Sequence, residues 1–442
     1  MIRSFGPFFV LFFLITCRSA PVTLGDNRIE PVYEQVLRDS AIKARLYEID
    51  ANKQKFTIEE LFVLSLDRTE QMAITAEKTF AADAKVRRSY GAWLPRLNLT
   101  AAQYAPERPG FVVPGVRFTA RQNIMTGLTE YTGVVGARLE RVAEEQGLRA
   151  ELSAHLLNIA DAALQLQLSE SLVVQATDAV RVTESSLSEI RRRVAIGRNK
   201  RGDALKAEAR LKQKQADLLA QQEKLAQLRR YLGFLTGLSN EFGVDSATEK
   251  YAADESKHDV DLSLRADIAL GKTVVDIRKN EVDAANGGHL PNIYLDGSYR
   301  PALEANQQTS YFGGVVAELP LFQGGQTVEN ANMAASRLRQ AELELRQAER
   351  KARVEVDDAR ESLTKAQAEF EAYSESAVAA EKNYRAQLSD MRLGIATILD
   401  VLQASEDVQL ARTAAAQAEY RRQIARVRFF VARGLLFPQA SN

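Results

Sequence analysis

Side chains able to do chemistry are few in this 442-residue chain, and their spacing argues against catalysis. The only histidines, His155, His258 and His289, stand far apart and lack the close spacing of a metal-binding set. No serine, threonine or cysteine is set beside a base in a recognisable nucleophile pattern. Gly324-Gly325, just after Pro320, does not follow a phosphate-binding motif. The sequence therefore predicts no catalytic residue, no metal and no cofactor. The 58 basic and 58 acidic residues cancel, which removes the basic excess expected of a nucleic-acid binder.

One reactive group remains. Cys17 is the only cysteine, so there can be no disulfide framework. It ends "MIRSFGPFFVLFFLITC", in which Arg3 precedes an apolar run from Phe8 to Ile15. The run is too short to span a bilayer, and polar sequence follows it, so residues 1–17 read as a signal peptide. Leu14, three residues before the cysteine, resembles a bacterial lipobox, although Thr16 replaces the usual small residue. The chemistry expected is acylation of the Cys17 thiol in an exported lipoprotein. No other stretch is apolar enough for a transmembrane helix, so any membrane crossing must be made by strands.

The elements that would hold such a chain in place are written twice. "LPRLNL" (94–99) returns as "LPNIYL" (290–295), and "GARLERVAE" (136–144) as "ASRLRQAE" (335–342). Gly197, Asp203, Leu205 and Ala207 match Gly394, Asp400, Leu402 and Ala404, each 197 residues on. Markers in one order at a nearly constant offset indicate a duplication. An N-terminal extension (18–56) precedes the first repeat (57–237), which has a β-hairpin at about 95–124 and a helical turn at about 197–203. A linker (238–262) leads to the second repeat (263–436), with a hairpin at about 291–321 and a turn at about 394–400. A tail (437–442) ends the chain.

Each repeat reads as helix, hairpin, long helix, turn, helix. "TIEE" at 57–60 is a capping box, with Thr57 and Glu60 as its partners, and opens a helix predicted to run unbroken to about Gly91. Helix is predicted from about Thr129 to Ile196, and again over about 326–393. Each would be close to 100 Å long at about 1.5 Å per residue. Asp203 and Asp400 are read as N-caps of the returning helices. The expectation is a thin rod with strands at one end, a turn at the other, and no globular core. Runs of Ala with alternating charge read as solvated helix faces.

The strands alternate. Ile293, Leu295, Gly297 and Tyr299 share one face, and Tyr294, Asp296 and Ser298 the other. Val116, Phe118, Ala120 and Ile124 oppose Arg117, Thr119, Arg121 and Asn123. An apolar face and a polar face suit a barrel with lipid outside and water inside. Arg117, Thr119, Arg121, Tyr294 and Asp296 are the lumen candidates. Four strands cannot close a barrel, and open edges are not tolerated in lipid, so closure needs several copies. Three copies give twelve strands.

"ELPLFQGGQTVENANMAASRLRQAELELRQAE" (318–349), "LPNIYLDGSY" (290–299) and "NYRAQLSDMRLGIATILDVLQAS" (383–405) resemble the TolC-like outer-membrane efflux protein family over about residues 57–436. The resemblance implies a mainly α fold with a small β part, assembled as a homotrimer. It implies a twelve-stranded barrel in outer-membrane lipid, continued by an α-helical barrel through the periplasm of a diderm bacterium. The implied function is a passive exit duct of a tripartite efflux pump or type I secretion system. Its implied partners are a periplasmic adaptor and an inner-membrane pump of RND or ABC type, with no nucleic acid.

Gly197, Asp203, Leu205, Gly394, Asp400 and Leu402 match the family's periplasmic tip, where the resemblance implies an iris-like aperture and adaptor contact. Ala396 stands where some members have an arginine, and Gln403 where some have another aspartate. The pattern thus departs from an arginine latch or a carboxylate ring. The rival is a lipid-tethered coiled-coil adaptor or scaffold without a pore. An adaptor should show β-rich domains around one helical hairpin, whereas this chain has two hairpins of each kind.

Overall fold

The computed structural model describes residues 55–104, 113–198, 200–238, 242–245, 248–251, 261–302 and 308–436. The signal sequence with Cys17, most of the N-terminal extension, the loop "APERPG" and the tail 437–442 lie outside the described residues.

Strand β1 (Lys55–Thr57) leads into α1 (Ile58–Arg68) and α2 (Glu70–Tyr90). Strands β2 (Arg96–Tyr104) and β3 (Val113–Thr126) follow, then α3 (Thr129–Ala195) and α4 (Arg201–Thr236). After β4 (Gly243–Asp245) the order recurs as α5 (Ala266–Gly287), β5 (Asn292–Arg300), β6 (Ser310–Glu318), α6 (Gln326–Leu393) and α7 (Ile398–Ala432). Helix α3 packs on α2, α4, α5 and α7, and α6 packs on α5 and α7. The long helices, 67 and 68 residues, fix the length of the molecule at about 100 Å.

The capping box at Thr57 forms as its sequence predicts. Thr57 N–H donates to Glu60 Oε2 at 2.8 Å, and Glu60 N–H donates to Thr57 Oγ1 at 3.3 Å. The helix it opens does not run unbroken to Gly91. Thr69 takes extended backbone between α1 and α2. Its hydroxyl donates to the Ser65 carbonyl at 2.7 Å, the local bond by which a β-branched hydroxyl residue competes with the helix ladder. The break also makes room. Gly237, with φ +66° at the end of α4, lies so close that a Cβ there would sit 2.6 Å from Arg68 Cβ.

The expectation of a rod without a globular core is corrected midway along it. Phe56, Leu61, Phe62 and Leu66 pack with Leu156, Ile159, Leu164 and Leu166 of α3, Leu232 of α4, and Ile424, Val427 and Phe430 of α7. Phe242, Val244 and Tyr251, from the segment read as linker, are buried in the same cluster. There β4 pairs in parallel with β1. These pieces are too short to show a period, which is why the sequence pattern passes over them. His155 is buried here and bonded to Ser65 Oγ at 2.8 Å.

Strands and rod meet at a backbone contact. Gly127 (φ +57°) ends the run from β3, and a Cβ on Gly287 would lie 1.9 Å from the Gly127 carbonyl oxygen. Leu128 is left-handed as well, with φ 64°. Buried Glu130 accepts from Thr126 N–H at 3.0 Å, and Asn280 of α5 donates to the Thr132 carbonyl of α3 at 2.9 Å.

Candidate functional site

Two places in this frame can act on something outside it: the strand sheet and the helical ends.

The sheet has the order β2-β3-β5-β6, antiparallel throughout. Its register places Leu99, Phe118, Tyr299 and Tyr311 in one row across the strands, and Leu97, Ala120, Gly297 and Gly313 in the next. These rows, with Leu295 opposite Val315, make the apolar face. The opposite face carries Asn98, Thr119 and Ser298 in one row, and Arg96, Arg121 and Asp296 in another.

Three of the five lumen candidates come together there. Arg121 Nε lies 3.1 Å from Asp296 Oδ1, and the guanidinium carbon sits 4.5 Å above the Tyr294 ring. Thr119 is two residues along on the same face, and Arg117, opposite Thr100, lies farther still. Arg96 belongs to this polar row and was missed, although the alternation of "RLNLT" could have found it.

Strict alternation fails at one point. A β-bulge between Asn123 and Met125 shifts the register, so that Met125 rather than Ile124 pairs with Ile293. An extra residue breaks the period of two, and Ile124 cannot be placed on the apolar face by counting from Phe118.

At the far end both turns rest on a left-handed glycine, Gly197 at φ +72° and Gly394 at φ +79°, with open space where a side chain would go. Asp203 and Asp400 are not N-caps. They are the third residues of α4 and α7, and the caps are Lys200 and Thr397. From there each carboxylate reaches back. Lys200 N–H donates to Asp203 Oδ2 at 3.3 Å, and Thr397 N–H donates to Asp400 Oδ2 at 2.7 Å. Only the second box is complete, since Thr397 Oγ1 accepts from Asp400 N–H at 3.3 Å while a lysine side chain has nothing to accept with. The Thr397 bonds hold the Asp400 carboxyl below the usual carboxylate range. The "TILD" spacing carried this signal.

The two leucines part company. Leu402 is 4% exposed and packs with Leu187, Ile190, Ala207 and Ile398, whereas Leu205 is 62% exposed. Arg210 and Glu406, 3.6 Å apart, join α4 to α7 beside this seam.

A profile described as "Outer membrane efflux protein" matches residues 261–434. Outer membrane protein TolC of Vibrio cholerae is 22% identical over 387 residues, covering 82% of this chain and 86% of the relative. The second repeat thus matches the outer membrane efflux protein family, and the chain over most of its length is similar to a TolC protein. Another relative, the proteases secretion protein PrtF of Dickeya chrysanthemi, is 26% identical over 54% of this chain and 55% of its own length. Among solved structures, the open state of the Neisseria gonorrhoeae MtrE outer membrane channel aligns with a TM-score of 0.75 at 17% identity, over 87% of this chain and 91% of that one. These likenesses show the fold of the outer membrane channels. Among the described residues no helix is long and apolar enough to cross a membrane.

Proposed function

We propose that three copies close into a twelve-stranded barrel and serve as the passive exit duct of a tripartite efflux pump or a type I secretion system. The observation that carries this is the sheet itself. Its outer strands, β2 and β6, have no further partner among the described residues, and they run in opposite directions. Copies set side by side can therefore pair β6 of one with β2 of the next in the same antiparallel sense. In hydrocarbon an open edge leaves backbone groups unsatisfied at several kcal/mol each, so closure is the stable outcome.

The apolar face, with Leu97, Leu99, Phe118 and Val315, then meets outer-membrane lipid. Arg117, Thr119, Arg121, Tyr294 and Asp296 line the water. The helices continue the tube to an iris-like aperture built from Gly197, Asp203, Leu205, Gly394, Asp400 and Leu402, where a periplasmic adaptor docks and an inner-membrane pump of RND or ABC type delivers cargo. Acylated Cys17, released from its signal peptide, adds an anchor in the membrane.

Mass measurement in mild detergent, paired with conductance in a planar bilayer, tests the proposal. A stable trimer that conducts is expected, and a non-conducting monomer would overturn it.

A further inference from the structure

The two helical ends share a plan but not a charge. Residues 189–214, around the first turn, hold ten basic and three acidic side chains. The equivalent stretch 197 residues on, 386–411, holds one basic and four acidic. At the first end Arg191 pairs with Glu208, Arg192 and Arg193 with Glu189, and Arg210 with Glu406. Arg198, Lys200, Arg201, Lys206, Lys212 and Lys214 have no carboxylate within ion-pair distance among the described residues, and all but Lys214 are exposed. In sequence, Arg198, Lys200, Arg201 and Lys206 stand close to two bare apolar side chains, Ile196 and Leu205, each 62% exposed. Leu205 stands one helical turn from Arg201 and next to Lys206, so it projects between cations.

Arg198, Lys200 and Arg201 fall within four residues of sequence, close enough for like charges to repel one another through a Debye length of about 8 Å. The repulsion is tolerated at a solvated tip, yet nothing in the packing of the turn requires it. The second end forms the same turn with Arg392 as its only base in the matching stretch. An apolar centre inside a charged rim is the make-up of a protein interface.

We infer that the end of the first helical hairpin is an electrostatic docking surface for an acidic partner: a helical hairpin whose apolar seam is flanked by Asp and Glu. This rests on the channel reading above and names the chemistry of the partner met at the aperture. The other candidate occupant is a neighbouring copy. Its second end offers Asp390, Asp400 and Asp407 as carboxylates without an ion pair among the described residues, three against six cations. A surplus remains even if all three are used, and it needs an outside source of negative charge.

The probe is a synthetic antiparallel helical hairpin with a Leu/Ala seam and Glu at the flanking positions, beside an identical hairpin carrying Lys. Each is titrated onto the full-length protein in nanodiscs. The Glu hairpin is expected to bind at least about tenfold more tightly at 50 mM salt, with the gap closing toward 500 mM. The exposed-residue variant R198E/K200E/R201E/K206E should reverse the preference. Equal binding of the two hairpins, or binding of neither, overturns the inference. So does a finding that the variant's only defect is dissociation of the trimer, which would give the cations to the contact between copies. Conductance of the same samples separates the two readings: a conducting trimer without charge preference sinks the docking surface alone, and a silent protein sinks the channel.

Discussion

The helical ends at Gly197 and Gly394 are two solutions to one folding problem. Both reverse a helix about 100 Å from the strands, both use a left-handed glycine, and both set an aspartate at the third position of the returning helix. Beyond that they diverge. The second end completes its capping box and sinks Leu402 into an apolar seam, while the first caps with a lysine and leaves Leu205 in solvent. What the duplication keeps is the geometry of the turn, because only a few residue types satisfy it. The side chains around the turn were free to specialise, one end toward packing and the other toward presenting charge.

Truncating the two leucines is the strongest way to break this comparison. Leu402→Ala is expected to destabilise the seam by about 2–4 kcal/mol, as cavity formation does in a packed site. Leu205→Ala should stay within about 0.5 kcal/mol, as an exposed substitution does. Hydrogen exchange of the amides over residues 185–215 and 390–410 reads both. Equal effects would mean that Leu205 is buried in the assembled protein and that the first end does not present itself to solvent. Smaller, but of the same kind, is the loss of a cap. Thr397→Ala should cost the second end about 1 kcal/mol, seen as faster exchange in the first turn of α7. Lys200→Ala should cost the first end little, because the lysine side chain accepts no bond there.

The architecture was legible where a period ran long enough. Two helices of 67 and 68 residues and the four strands of the sheet follow from periods of 3.6 and two, and Gly394 marks the end of α6 without ambiguity. Legibility failed where a residue answered to something distant in sequence. Thr69 breaks a helix whose pattern runs on, against Gly237 at the end of α4. Gly127 and Gly287 press backbone to backbone across about 160 residues of chain, and neither looks unusual in its own neighbourhood. Phe242, Val244 and Tyr251 fill the central core from a stretch that reads as linker. At the sites, the alternation of "VRFTARQNI" was enough to group Arg121 with Asp296, but one bulge misplaced Ile124. The inequality of Leu205 and Leu402 had no local sign at all, since both follow an aspartate by two residues.

The smallest expected effect is in pH. Asp400 is held below the ordinary carboxylate range by the Thr397 hydroxyl and N–H, so its folded form binds protons less readily than its unfolded form. The contribution is present above the ordinary carboxylate pKa and is lost as pH falls through the lowered one. The second end should therefore loosen only in acid. His155, in the central core, also shifts downward, because burial disfavours its charged form and Glu151 offsets this only in part. For a base the consequence appears earlier. The unfolded imidazole takes up a proton from about pH 6.5 downward while the folded one resists, so stability at the core declines from that point until the lowered value is passed. Exchange followed from pH 8 to pH 3 should show the core around Ser65 and His155 loosening first and the turn at Thr397 second. His155→Gln should remove the first step and leave the second untouched. Loosening of both regions at one pH would mean that the core and the second end unfold as a unit, and the local division between the two helical ends would no longer hold.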